Sequence, residues 1–359
     1  MKTILYFGIF DPDFSRNKVY ADGLRENGYK ILYCIDKSRG LIKFIKLFFK
    51  LFRLRNSYDV MIVGYPAYIV VPFARIFSLM ISAITFSKQK LIIADALCSF
   101  YESQIISRDA YKGNPFRILY VRIVDWLLTR CSDKILVETR AQKRYFIDHL
   151  KTKESKCVVT YTGVDITKFD FDDSVRKNDT FTVLFRGRIT KEAGLKYVLE
   201  AAKILENQNI NFLIIGFGWG SAMGEFNEQM NIMKLKNVEY IGRQLPIDEL
   251  RTLMLRCHAS LGQFGDNERL KRTIPHKAYE SLVMKLPYIT ARTEGVSEIL
   301  EDKVTCLMVD STNSQNLAEK ILYIKNVPSI SEKLTSNGYQ LYEANFTPSK
   351  IVKPIIDII

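Results

Sequence analysis

Glycine and cationic residues stand together at Arg186-Gly187-Arg188, between the apolar run TVLF and the amphipathic run LKYVLEAAKIL. A glycine lets the chain turn tightly, and cationic side chains with the free N–H groups of a helix start can bind an anion. Gly187 and Arg188 are therefore candidate binding residues for a diphosphate.

Two further glycines follow the next apolar run, NFLII, in the stretch GFGWG (216–220). Gly216 and Gly218 could let a ligand approach the backbone closely, although their spacing is not the GxGxxG of dinucleotide-binding loops. A turn that binds no ligand is the alternative. A third stretch, RTIPHKAYE (272–280), brings cations, a histidine and a carboxylate close together in the chain.

The candidate residues of the first half follow its first and fourth apolar runs. Gly8 could let an acceptor or donor approach the backbone, and Arg16 could hold an anionic group; a plain turn before a capped helix is the alternative. Asp95 ends the run KLIIAD and could act as a catalytic base or acceptor contact, with helix capping as its alternative.

Histidines, cysteines and paired aspartates form no pattern typical of a metal site. His149, His258 and His276 lack the mutual spacing of metal ligands or of a catalytic triad. The Asp-x-Asp pairs at 11/13 and 170/172 lie near the N-terminus and in a charged stretch. We expect no required metal, and the six scattered cysteines are typical of a reduced cytosolic chain.

Short apolar runs alternate with helical patterns along the whole chain. The runs are ILYFGIF, KILYCID, DVMIVGY, KLIIAD and DKILVET, then FTVLFRG, NFLIIGFG, VEYIG, ASLGQF, PYITA and CLMVD. This alternation is typical of parallel sheets covered by helices on both faces, where ligands bind beyond the carboxyl ends of the strands. The predicted fold class is α/β, with two doubly wound Rossmann-like domains.

The domain boundary is predicted where apolar periodicity disappears, in DITKFDFDDSVRKNDT (165–180). We expect one domain over 1–165 and a second over 166–345. A C-terminal helix over about 346–359 could pack back on the first. The length of 359 residues and the 47% hydrophobic composition favour a globular chain of two domains.

The ordered motifs of the second half resemble the donor-binding half of glycosyltransferase family four (glycosyl transferases group one), in its Pro-x-Lys…Glu branch. The motifs are the Arg-Gly-Arg loop, GFG, VEYIG, RTIPHKAYE and EGVSE (294–298), preceded by YTGVD (161–165) with Phe169. The resemblance implies the GT-B fold, whose two domains face each other across a cleft. It also implies transfer of a hexosyl group from a nucleotide-sugar.

The same resemblance assigns roles to individual residues. Arg188 and Lys277 would contact the donor diphosphate and stabilise the charge that grows on it as the glycosidic bond breaks. Glu280 would accept hydrogen bonds from the ribose hydroxyls of the nucleotide. Arg272 stands where the family has the first glutamate of a pair, which makes the site more cationic, and His276 lies within the same motif as a candidate substrate contact.

A basic, apolar helix is predicted over LIKFIKLFFKLFRLR (41–55). Lys43, Lys46, Lys50 and Arg53 form a cationic stripe beside leucine, isoleucine and phenylalanine, as in helices that lie on anionic lipid. A helix packed on a sheet, with lysine stems covering its margin, is the alternative. The apolar run 65–86 is expected to be a crossover helix buried against a parallel sheet, not a membrane span.

We expect a retaining transferase, cytoplasmic and peripheral on the inner face of the membrane, that passes a sugar from a UDP- or GDP-sugar to a glycan or lipid-linked acceptor of cell-surface polysaccharide or glycolipid. The formal charge of +13 suits anionic partners, but no nucleic-acid-binding module is recognisable. An inverting transferase, which an essential Asp95 would favour, or a sugar-nucleotide epimerase of the same fold is one alternative. A catalytically silent membrane-associated GT-B subunit is another, because position 272 lacks the glutamate.

Overall fold

The computed structural model describes residues 1–108, 110 and 113–359. They divide into two compact units. The first holds Met1–Gly163 and Thr347–Ile359, and the second holds Val164–Phe346. The division lies close to the 165/166 boundary given above, and the charged stretch 165–180 belongs to the second unit.

The first unit is built on a six-stranded parallel sheet in the order β2-β1-β3-β4-β5-β6. Its strands are β1 (Thr3–Gly8), β2 (Lys30–Ile35), β3 (Val60–Val63), β4 (Leu91–Leu97), β5 (Lys134–Val137) and β6 (Cys157–Val159). The first five follow the predicted apolar runs. The sixth was not predicted, because it is only three residues long and pairs with β5 alone.

Helices connect these strands by crossovers of the right-handed kind that parallel sheets require. They are α1 (Ser15–Glu26), α2 (Ile42–Leu54), α3 (Val70–Thr85), α4 (Pro115–Cys131) and α5 (Arg140–Asp148). The path from β1 to β2 runs opposite to all later steps across the sheet, so α1 covers one face and α2 to α5 cover the other.

The second unit is also a six-stranded parallel sheet, in the order β12-β11-β10-β7-β8-β9. Its strands are β7 (Phe181–Arg186), β8 (Ile210–Ile215), β9 (Val238–Ile241), β10 (Ala259–Leu261), β11 (Tyr288–Ala291) and β12 (Leu307–Val309). Its helices are α6 (Leu195–Ile204), α7 (Ser221–Met233), α8 (Ile247–Arg256), α9 (His276–Val283), α10 (Glu294–Ser297), α11 (Ser314–Asn326) and α12 (Pro328–Asn345). The strand order reverses between β7 and β10, and such a reversal is where sheets of this kind bind ligands.

The chain returns to the first unit with α13 (Pro348–Ile351) and α14 (Lys353–Ile356). There α13 packs on α1 at Gly23, where a Cβ atom would lie 2.0 Å from the carbonyl oxygen of Pro348. Any larger residue at position 23 would push the two helices apart.

The apolar run 65–86 forms α3, between β3 and β4. Its inner side is buried through Val71, Ala74 and Ile81, but Ile76 and Met80 on its outer side are exposed. The expectation of a crossover helix is therefore right in position, whereas only one side of the helix is buried. No helix within the described residues is long and apolar enough to cross a bilayer.

Candidate active site

The loop after β7 carries the first predicted site residues. Arg186 ends the strand, and Gly187 follows with φ of +143°, a conformation that side-chain-bearing residues rarely adopt. Arg188 is exposed, and its guanidinium lies over the ring of Trp219, 5.3 Å from the centroid. The loop therefore presents the Arg188 charge to solvent beside an aromatic surface.

Gly216 and Gly218 allow the ends of β7 and β8 to come together. A Cβ atom on Gly216 would lie 1.9 Å from the carbonyl oxygen of Gly187, and one on Gly218 would lie 2.5 Å from that of Ile189. Backbone hydrogen bonds join the same stretches, including one from the Gly187 N–H to the Ile215 carbonyl at 2.9 Å. The packing of the chain's own backbone thus requires glycine at both positions, and the ligand approach stays a prediction.

Glu280 of α9 is buried and paired with Arg186. The Nη1 nitrogen of Arg186 donates to both carboxylate oxygens, at 2.7 and 2.5 Å, and its guanidinium lies 5.1 Å from the ring centroid of Phe169. Arg186 was not predicted as a site residue. The available signal was a charged residue ending an otherwise apolar strand directly before a glycine.

Lys277, one turn before Glu280, is buried against the end of β7. Its ammonium group donates to the carbonyl oxygen of Gly262 at 3.1 Å and lies 3.7 Å from the ring centroid of Phe185. Burial and, to a smaller extent, the nearby Arg186 charge lower the pKa of Lys277 to about 7, although Glu280 partly opposes this. Near neutral pH this lysine can therefore gain or lose a proton.

Arg272 and His276 lie at the entrance to α9. Arg272 ends a 3₁₀ turn, is half-buried and pairs with Glu268 at 3.5 Å. His276 is the first residue of the helix and is also half-buried. A Cβ atom on Gly295 of α10 would lie 2.7 Å from the carbonyl carbon of Arg272, so this turn packs directly on the start of α10.

In the first unit, Arg16 and Asp95 form a buried ion pair with each other. The Arg16 Nε nitrogen donates to the two oxygens of Asp95 at 2.8 and 3.0 Å, and both side chains are essentially inaccessible. This corrects the sequence-based roles, because a base or substrate contact must reach solvent or ligand. Gly8, with φ of +141°, faces Phe10 and Val70, from which a Cβ atom would be 3.4 Å.

The ion pair continues into a buried hydrogen-bond network. Nη1 of Arg16 donates to the carbonyl of Thr160 and the hydroxyl of Thr162, which in turn donates to Glu138. Burial alone would lower the pKa of Arg16, but the Asp95 carboxylate raises it above its ordinary value. Arg16 stays charged and ties α1 to β4 and to the segment after β6.

Within the residues described, no group of three or more His, Cys, Asp or Glu is arranged to hold a metal ion. The second unit instead gathers cations. Arg186, Arg188 and Lys277 lie at or beside the end of β7, and Glu280 balances the charge of one of them. Such a site can bind and stabilise an anion.

Comparison with known proteins gives this arrangement a chemical context. The family described as Glycosyl transferases group 1 matches residues 167–341, which is nearly the whole second unit. An uncharacterized glycosyltransferase of Methanocaldococcus jannaschii is 25% identical over 74% of this chain and 68% of its own. The capsular polysaccharide biosynthesis glycosyltransferase CapM of Staphylococcus aureus is 20% identical over 67% of this chain and 64% of its own.

Solved structures agree on the fold. The Anabaena protein HepE, crystallised with UDP and glucose, superposes with a TM-score of 0.71 at 14% identity, covering 100% of this chain and 99% of that one. The chain is a glycosyltransferase with the GT-B fold. In this glycosyltransferase, the matched family segment contains Arg188, Lys277 and Glu280.

Proposed function

We propose that this glycosyltransferase moves a hexosyl group from a UDP- or GDP-sugar to a glycan or lipid-linked acceptor, with retention of configuration, in the synthesis of cell-surface polysaccharide or glycolipid. The capsular polysaccharide enzyme among its relatives supports the product class. The complex of HepE with UDP and glucose supports a nucleotide-sugar donor.

The observation that carries the proposal is the cationic cluster at the strand-order reversal of the second unit. Arg188 is exposed at the end of β7, and Lys277 is buried beside the same strand, next to β10. A diphosphate held by these two groups would gain stabilisation as charge develops on the leaving group. This charge appears only as the glycosidic bond breaks, so the cations act on the rate as well as on binding.

Glu280 is proposed to accept hydrogen bonds from the ribose hydroxyls of the donor. A carboxylate has several acceptor sites, so Glu280 can keep Arg186 as a partner and still accept from a ligand. Arg186 holds the carboxylate through both oxygens and fixes its orientation.

Retention is supported by the placement of the acidic candidates. An inverting transferase needs a base that takes the acceptor proton. Asp95, the candidate from the sequence, is bound by Arg16 and buried. Glu280 is bound by Arg186. Neither carboxylate is placed as such a base, which favours the retaining reaction over the inverting and epimerase alternatives.

Peripheral attachment to the inner, cytoplasmic face of the membrane is proposed through α2. Lys46 and Arg53 are exposed on this helix together with Ile45 and Phe49, the combination found in interfacial helices. The anionic lipid of the cytoplasmic leaflet attracts such basic segments. The helix would bring the enzyme to a lipid-linked acceptor.

The test is a thermal-shift and hydrolysis screen of the full chain against UDP-, GDP-, ADP- and TDP-sugars, each with and without EDTA. A donor at about 100 times its Kd adds roughly 2.7 kcal/mol to the free energy of unfolding. Arg188→Ala is expected to lower kcat by about 100-fold or more. Glu280→Ala should remove the donor-induced rise in Tm, and EDTA should change neither result because no metal is proposed.

Arg176→Ala is the matched control, since Arg176 is exposed and forms a surface ion pair with the equally exposed Asp179. It should leave both Tm and rate at the wild-type values. Stabilisation of the wild type by no nucleotide or nucleotide-sugar would reject the proposal and favour a catalytically silent subunit. Loss of all activity with EDTA would reject the metal-free chemistry.

A further inference from the structure

Three neighbouring helices of the first unit lie side by side on one face of its sheet. The crossovers place α2, α3 and α4 on that face. Phe44 of α2 stacks on Phe73 of α3, with ring centroids 4.0 Å apart. Arg75 of α3 donates to the carbonyl oxygen of Cys131 in α4 at 2.9 Å. The outer sides of the three helices therefore form one continuous surface.

That surface is apolar on all three helices. On α2, Leu47 and Leu51 pack inward while Ile45 and Phe49 point outward. On α3, the outer side chains include Met80 and Ile84. These four outer side chains are 46–59% exposed, and in each helix they recur at one-turn spacing.

The outer side of α4 repeats the pattern with Leu119, Ile123 and Trp126, which are 46–55% exposed. Val121, Val124 and Leu128 of the same helix pack inward, so this helix already has a complete inner face. The second row of apolar side chains on α4 is not needed to hold the helix on the sheet.

The charges on these three helices indicate which partner the surface can contact. Within these described helices, α2 and α3 contain no Asp or Glu, and the one acid of α4, Asp125, is buried. Exposed cations on α2 and α4 include Lys46, Arg53, Arg122 and Arg130. A second copy of the same surface would carry the same sign and be repelled. An apolar layer with anionic headgroups matches both features.

We propose that the outer sides of α2, α3 and α4 together form the membrane-contacting surface of the protein. This inference rests on the proposed function and extends its lipid contact from one helix to three. Helices of these lengths, packed about 8–10 Å apart, present a face of roughly 20 by 25 Å. Contiguous exposed apolar surface on this scale is often functional.

The experiment uses the full chain and two kinds of vesicle, phosphatidylcholine alone and phosphatidylcholine mixed with an equal amount of phosphatidylglycerol. The wild type should sediment with the mixed vesicles and much less with phosphatidylcholine alone. Met80→Glu on α3 and Ile123→Glu on α4 should each weaken partitioning by roughly tenfold or more. Each replaces an apolar side chain that the bilayer would bury with a negative charge that the anionic headgroups repel. Ile232→Glu, at an exposed isoleucine of α7, is the matched control and should bind as the wild type does.

A fluorescence measurement avoids any charge inserted into the helices. The chain has two tryptophans, Trp126 and Trp219, so Trp219→Phe leaves Trp126 as the single reporter. Its emission should shift to the blue on adding mixed vesicles and be quenched by brominated acyl chains. Unchanged emission while the protein sediments with the vesicles would overturn the role of α4.

The other outcomes are equally decisive. Loss of binding through Phe49→Glu on α2, with none through Met80→Glu or Ile123→Glu, would leave a one-helix contact and overturn the three-helix surface. A wild-type dimer that Ile123→Glu dissociates would make the surface an interface between copies. A wild type that binds neither vesicle but is stabilised by a nucleotide-sugar would overturn this inference while leaving the transferase site intact.

Discussion

Replacing Lys277 with methionine should make the protein more stable at mildly acidic pH while weakening donor binding. Lys277 is buried, and its pKa is lowered from 10.5 to about 7. At about 1.4 kcal/mol per pKa unit, burying the charged form costs about 5 kcal/mol. Methionine has a similar length and no charge, so it removes this cost. It also loses the hydrogen bond to Gly262 and the contact with the Phe185 ring, together about 2–3 kcal/mol.

The sign of the effect depends on pH. Below about pH 7 the lysine is charged in both the folded and the unfolded chain, and the whole penalty is present. Between about pH 7 and 10.5 the unfolded chain binds more protons than the folded one, so the wild type gains stability as pH rises. Lys277→Met should therefore gain roughly 2 kcal/mol, or about 4–8 °C in Tm, near pH 6. Near pH 10 most of the penalty has gone and the neutral amine makes no cation–π contact, so the lost hydrogen bond of about 1 kcal/mol offsets what penalty is left and the variant should gain no stability.

The assay is thermal unfolding across this pH range, with and without the best donor from the screen. Lys196→Met, at an exposed lysine of α6, is the control and should change Tm by less than about 2 °C throughout. Donor affinity of the wild type should fall above pH 7 as Lys277 loses its proton, whereas the methionine variant should bind weakly at every pH. A Tm that falls equally near pH 6 and pH 10 in Lys277→Met would refute the reasoning, because the lysine would then support the fold rather than the ligand.

Three other substitutions test the surrounding structure. Arg186→Met should lower the free energy of unfolding by about 3 kcal/mol and weaken donor binding, because it leaves the buried Glu280 carboxylate unpaired. Urea unfolding measures the first effect and donor titration the second. A variant as stable as the wild type would contradict this prediction. Asp95→Asn should lower the free energy of unfolding by about 3–5 kcal/mol, as measured by urea unfolding, because it leaves the buried Arg16 charge without its carboxylate partner. A variant that is fully stable yet inactive would restore the catalytic role predicted from the sequence. Gly216→Ala should lower Tm by several degrees because its Cβ atom has no room against the end of β7, and an unchanged Tm would show that the two strand ends can separate freely.

Most of the fold could be predicted because parallel sheets buried on both faces leave a plain signal. Eleven of the strand positions needed no more than runs such as DVMIVGY or PYITA, whose side chains are mostly buried. The strand β6 escaped because its three residues form no run. The exposed apolar side chains on the outer sides of α3 and α4 were not predicted for a different reason. Apolar residues on every side of a helix read as full burial, and sequence alone does not say which side meets the sheet.

The candidate site was predicted unevenly, and the difference is physical. Arg188 lies just after β7, and Lys277 and Glu280 lie on α9, which the structure places beside the end of β7. Arg186 was missed because a charged residue at a strand end has many ordinary explanations. Asp95 was assigned a chemical role because a polar residue after a buried strand can face either a ligand or another part of the chain.

The two units show how one topology can hold a stabilising network in one case and an anion-binding site in the other. Each first strand leads into a glycine with nearly the same backbone angle: Gly8, the last residue of β1, has φ of +141°, and Gly187, directly after β7, has φ of +143°. In the first unit Arg16 is paired with the buried Asp95, and the hydrogen-bond network around this pair holds helix α1 in place. In the second unit Arg188 stays exposed, and Lys277 remains buried at a cost that the fold alone does not require. The second unit keeps a buried lysine that lowers its stability, whereas the first unit pairs its buried arginine with an aspartate. This difference is the physical argument for placing anion binding in the second unit.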